Sequence, residues 1–70
     1  MDKYEKNILL DLSKRVKKLR TEKSVSQHIA YLDTKIHFGR IEQGKRDINL
    51  TTLYKICDYF EISLKDFFDL

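Results

Sequence analysis

Proline is absent from this 70-residue chain and glycine occurs only as Gly39 and Gly44, so little can interrupt a helix and little is suited to irregular loop. Apolar residues recur at helical spacing: Ile8, Leu12, Val16 and Leu19 follow one another at steps of four, four and three. An all-α fold is expected. The length is close to that at which one core is only just sufficient, which implies a single domain over 1–70. No apolar run approaches the roughly 20 residues that span a bilayer, and residues 1–6 lack the apolar block of a signal peptide. No membrane partner and a cytoplasmic location follow as expectations. Cys57 is the only cysteine, so no disulfide framework is available; beside Ile56 and near Phe60 it is expected to be a small buried hydrophobe.

Start and stop signals divide the chain into five helices, expected at about 4–23, 27–32, 34–43, 50–60 and 64–69. Either Ser24 or Ser26 can cap the second helix, and Ser24 with Gln27 has capping-box spacing. Ile29, Ala30 and Leu32 are its candidate core contacts. Asp33-Thr34 is expected to open the third helix, with Phe38 and Ile41 turned inward together and Gly44 closing it in a left-handed conformation. Asn49 caps the fourth, whose stripe is Leu50, Leu53, Ile56, Cys57 and Phe60; Ser63 opens the fifth, with Leu64, Phe67 and Phe68. Short turns between five helices favour a compact orthogonal bundle over parallel rods.

The net charge of +3 is unevenly distributed. Residues 13–46 hold ten Lys/Arg against Glu22, Asp33 and Glu42, a local charge of +7, whereas residues 47–70 sum to −3. Such a division suits a polyanion on one face, although ordinary solvated helix charge would look similar. Segment 34–46 sharpens the reading. A helix over 34–43 would carry Lys35, His37 and Arg40 outward, and Lys45 and Arg46 follow the glycine turn. A helix with one face packed and a basic face free fits the DNA major groove, which is about 12 Å wide.

The order of residues also resembles a known family. Leu19-Arg20, Ser26-Gln27, Ile29-Ala30, Arg40-Ile41-Glu42-Gln43-Gly44-Lys45-Arg46, Leu53-Tyr54-Lys55-Ile56 and Ile62-Ser63-Leu64 together are similar to the Xre-type helix-turn-helix family. That group includes phage lambda-type repressors and the controller proteins of restriction–modification systems. The resemblance spans about residues 8–68 and implies a compact five-helix, lambda repressor-like DNA-binding domain. This chain has about three fewer residues than usual between Gln27 and Glu42, which implies a shortened second helix or turn.

The resemblance implies an ion pair between Arg20 and Glu42, and their placement at the inner ends of the first and third helices argues for it independently. It also implies that Gln27 clamps a phosphate, although Gln27 would equally close a capping box with Ser24. Thr34, Lys45 and Arg46 are further phosphate candidates, and Asn49 and Thr51 offer additional donors. Base reading is expected of Lys35, Ile36, His37 and Arg40; Ile36 is equally a core residue at helical spacing. Gly39 inside a helix implies a need for space, met by close approach either to DNA or to another helix. Family members commonly pair through the last helix. Tyr59, Phe67, Phe68 and Leu70 are therefore candidates for a homodimer interface, after part of this apolar set has closed the core.

A sequence-specific, double-stranded DNA-binding regulator acting as a homodimer is thus expected. A restriction–modification controller is the first sub-class and a phage-type repressor the second. The competing class is a protein-interaction module such as an antitoxin, with an acidic, aromatic C-terminal region holding a protein partner. No enzyme is expected, because no paired carboxylates, no nucleophile with a base and no phosphate-cradling glycine loop occur. His28 and His37 lie nine apart without a second cysteine or a carboxylate at ligand spacing, so no metal, cofactor or small-molecule ligand is expected.

Overall fold

The structure, a computed structural model, describes residues 2–70. Its elements run α1 Lys3–Glu22, α2 Gln27–Thr34, α3 Phe38–Ile41, α4 Leu50–Tyr59 and α5 Leu64–Phe68, and the described residues include no strand. Four of the five helices start on a polar residue whose side chain accepts a backbone N–H that the helix leaves free. Asp2 accepts from Glu5 at 2.8 Å, Ser26 from Ile29 at 3.1 Å, Asn49 from Thr52 at 2.8 Å and Ser63 from Asp66 at 3.0 Å. Ser26 is therefore the cap of α2. Ser24 instead sits in the turn at φ +59°, while the Val25 N–H donates to Arg20 O at 3.2 Å. No capping box forms between Ser24 and Gln27, because the Ser24 N–H donates to Thr21 O at 3.0 Å, and the Gln27 amide donates to Glu42 Oε1 at 3.2 Å.

The third helix departs most from expectation. Asp33 and Thr34 do not begin it; they end α2, and α3 is four residues instead of the ten expected over 34–43. The Thr34 hydroxyl donates to Ala30 O at 2.7 Å and accepts from the Ile36 N–H at 3.0 Å, so it turns the chain out of α2. Lys35 then takes a left-handed conformation, φ 62° and ψ 17°, with its N–H donating to Tyr31 O at 2.7 Å. Between Gln27 and Glu42 the short element is therefore α3. The second helix, by contrast, continues through Thr34 instead of stopping at Leu32.

A helix of one turn cannot sustain itself by its own hydrogen bonds. Packing supplies what cooperativity does not. Phe38 is fully buried and meets Phe60 edge-on with centroids 5.9 Å apart, and Ile41 is buried beside it. They join a core of Val16, Leu19, Ala30, Leu53, Ile56, Cys57, Phe60 and Phe67.

Several expected core positions lie outside. Ile8, Ile29, Leu32 and Leu50 are all exposed. On α1 the inner face runs Leu9, Ser13, Val16, Leu19 and Arg20. It is turned from the expected stripe so that Arg20 faces inward, toward Glu42. On α2 only Ala30 is buried; its small side chain brings α2 close to its neighbours. Gly44 adopts φ +75°, and a Cβ there would lie 2.9 Å from Leu10 Cδ2 and 3.2 Å from Ser13 Oγ. Glycine is thus required twice at this position, by conformation and by proximity to α1.

Candidate nucleic-acid interface

The inner side of α3 is tied down by charge as well as by apolar packing. Arg20 Nε donates to Glu42 Oε2 at 2.7 Å and Nη2 to Oε1 at 2.8 Å, while Nη1 reaches Val25 O at 2.8 Å. Both side chains are nearly excluded from water, at 10% and 4% exposure. The planar guanidinium matches the carboxylate in a two-point fork, and Gln27 adds a further donor to the same carboxylate. The hydrogen bond to Glu42 holds the Arg20 proton more firmly than usual; burial opposes this and the Glu42 charge adds to it. Removing one partner of such a pair leaves an orphaned charge, which costs about 3–5 kcal/mol.

The outer side is open and basic. Arg40 is exposed on α3; Lys35 and His37 are exposed in the α2–α3 connection; Lys45 and Arg46 are exposed beyond Gly44. A hollow passes from Lys35, His37 and Arg40 to Arg46 and Thr52. A second hollow, between α2 and α3, is lined by Gln27, His28, Tyr31, His37, Arg40 and Gln43. Arg40 and His37 border both, so the two hollows join at α3, with Lys35, Arg40 and Arg46 as the cations of the first.

Two expected site residues change role. Thr34 is half-buried, and its donor proton is committed to Ala30 O, so it holds the α2 exit and does not offer a hydroxyl to a phosphate. Ile36 is also half-buried and packs against the core, which makes it the inner support of the connection. Asn49 spends its side-chain oxygen on the Thr52 N–H, which leaves the amide nitrogen as its donor; Thr51 is exposed in the first turn of α4. The space at Gly39 serves α2, since a Cβ there would lie 3.3 Å from Gln27 Oε1.

Tyr31, His28, Gln43 and Asp47 are additional residues of this surface. Gln43 follows Arg40 by three residues, a spacing that places the two on one helical face. His28 follows Gln27 in the first turn of α2. Tyr31 carries no sequence signal, because its place depends on where α2 ends. Asp47 introduces a negative charge at the margin and accepts from the Ile48 N–H at 2.8 Å.

The four residues expected to form a dimer face do not present one surface. Phe67 is fully buried, because the short α5 needs an anchor in the core. Tyr59 is half-buried and its hydroxyl donates to Asp33 Oδ2, a bond that raises the phenol above its ordinary range. Leu70 is half-buried against the core, and only Phe68 is substantially exposed, at 48%. Arg15 fixes this end of the chain: its Nη1 donates to the carbonyls of Phe67, Phe68 and Leu70, and its guanidinium lies 5.7 Å from the Phe68 ring centroid. Among the described residues no three His, Cys, Asp or Glu side chains gather as a metal site, and no helix is long and apolar enough to cross a membrane.

A small all-helical bundle that seats one short helix firmly and leaves its basic side open defines a helix-turn-helix DNA-binding domain. The model of the Cro/C1-type HTH DNA-binding domain matches residues 31–70, more than half of the chain, and the chain belongs to that Xre/lambda repressor-like family. It is accordingly a DNA-binding transcription regulator. The match begins within α2, so α1 and the first turn of α2 lie outside it. No curated protein and no solved structure matches the chain.

Proposed function

We propose that the protein is a sequence-specific regulator that binds a two-fold symmetric operator as a homodimer. The observation that carries this is the two-sidedness of α3. Phe38, Ile41 and the Arg20–Glu42 pair hold its inner side, while Arg40 with Lys35 and His37 stands free. In this reading Arg40, Lys35 and His37 reach base edges. Lys45, Arg46, Gln27, Asn49 and Thr51 contact the sugar–phosphate backbone, and Gln43 joins the reading face beside Arg40.

One copy measures 33 Å along its longest axis and half-sites lie about 34–36 Å apart, so in this reading each copy engages one half-site. The exposed side of α5 around Phe68 is the proposed contact between copies. Controller proteins of restriction–modification systems and phage-type repressors are the finer classes to which the Arg40-Ile41-Glu42 motif points. An antitoxin-like module, in which this end of the chain holds a protein partner, is the alternative; burial of Phe67 leaves Phe68 as the exposed aromatic of α5 in either reading.

Selection of bound sites from random DNA tests the proposal, followed by titration across salt concentrations. A palindromic motif is expected, with a log-affinity slope of about −9 for a dimer making about five phosphate contacts per copy. An unsymmetric motif or no motif, together with a flat slope, would contradict it.

A further inference from the structure

Lys35 and His37 lie outside any helix, in the three-residue connection between α2 and α3. A longer third helix would orient them through its backbone hydrogen bonds. Here Lys35 is left-handed and His37 begins α3 without any side-chain cap. Neither side chain is loose, however. The His37 ring lies against Tyr31 with centroids 4.8 Å apart and planes inclined at 32°. Lys35 Nζ lies 5.5 Å from the centroid of the same ring.

We propose that Tyr31 is a positioning residue for DNA reading, its ring forming a platform that orients Lys35 and His37 in place of the missing helical turn. This rests on the reading that Lys35 and His37 contact bases. Tyr31 suits the task through three contacts. Its backbone carbonyl accepts from the Lys35 N–H at 2.7 Å, its ring face attracts the ammonium, and the same ring stacks the imidazole. The ring is half-buried in the hollow shared with Gln27, His28 and Arg40, so it is itself held by α2 and lies on the same side as Arg40. A flexible lysine immobilised before binding loses less freedom when it meets a base, which favours the correct site over others. The platform needs the aromatic ring and not its hydroxyl.

The test compares the full chain with Tyr31→Phe, Tyr31→Leu, Lys35→Ala and His37→Ala, competing the selected site against single base-pair variants. Tyr31→Phe retains the parent's discrimination. Tyr31→Leu loses about three- to tenfold at the base pairs that Lys35→Ala and His37→Ala identify, with its salt slope unchanged. A second readout needs no DNA: the His37 ring protons, shifted upfield by the stacked ring in the parent and in Tyr31→Phe, move to free-imidazole positions in Tyr31→Leu. Tyr31→Met repeats the comparison should leucine lower the melting temperature. If Tyr31→Leu keeps discrimination that Lys35→Ala and His37→Ala lose, the platform is wrong and the base-reading assignment survives. If neither alanine variant alters base preference, the assignment falls and the platform with it. Uniform weakening in Tyr31→Phe would make the tyrosine a phosphate ligand through its hydroxyl and overturn the platform.

Discussion

The third helix and the fourth are held by opposite means. The fourth opens on Asn49, whose side chain caps it, and contributes a stripe of Leu53, Ile56, Cys57 and Phe60 to the core. Its start is written in its own residues, and its packing runs along a full stripe. The third has no side-chain cap and a single turn, and it exists because Phe38 and Ile41 are buried and Glu42 is gripped by Arg20 from α1. An element that carries little local stability can be short, and its outer side can be given to function. The difference also explains why α3 and the connection before it are where sequence and structure part company.

The contrast is most exposed to mutation at its anchors. Glu42→Ala should destabilise the fold by about 3–5 kcal/mol by stranding Arg20, enough to unfold a domain of this size near ambient temperature. Phe38→Ala should lose a similar amount through the cavity it leaves, about 3–5 kcal/mol. Urea unfolding followed by circular dichroism measures both. Loss of under about 1 kcal/mol in Glu42→Ala would mean that the pair behaves as a solvated surface contact.

Gly44→Ala should cost about 2 kcal/mol, from a strained backbone at φ +75° together with crowding against Leu10. Caps give a smaller and more pointed comparison. Asn49→Ala should cost about 1 kcal/mol, whereas His37→Ala should cost less, because His37 caps nothing and gives up only an exposed contact with Tyr31. Equal losses in the two would erase the distinction between a locally capped helix and a tertiarily anchored one.

The pH response should be small and alkaline. Burial pushes the Cys57 thiol above its ordinary range. The fold therefore favours the neutral thiol, and this contribution is complete below about pH 8.5 and lost as pH rises through the raised value. Tyr59, raised first by its hydrogen bond to Asp33, acts in the same direction near and above pH 10. At pH 8 a disulfide reagent should modify Cys57 at least about tenfold more slowly in the folded protein than in urea. Equal rates would place the thiol at the surface.

The helix starts at Asn49 and Ser63 and the turn at Gly44 were legible because each depends on residues within three or four positions, whereas the choice of Ser26 over Ser24 was left open. The partners of the Arg20–Glu42 pair were also nameable, from family resemblance and from their places at two helix ends. The limits of α3 were not legible. Asp33-Thr34 has the composition of a helix start, yet the Thr34 hydroxyl serves equally well to end α2, and only the burial of Phe38 decides between the two. Ile8 and Leu9 differ by one position on α1; the buried choice follows from Arg20 having to face Glu42, a contact 22 residues apart. Tyr31 lines the hollow beside His37 and Arg40 for the same nonlocal reason.

In the proposed function holding and reading are separated by only two positions, Glu42 and Arg40, and a paired measurement on Arg40→Ala tests that separation directly. Melting temperature and base preference at every position of the selected site would be determined on the same sample. The variant should melt like the parent and relax preference at one or two base pairs per half-site, by about 1–3 kcal/mol each. Melting at a much lower temperature, or equal weakening on every sequence, would show that the outer side of α3 does not read DNA.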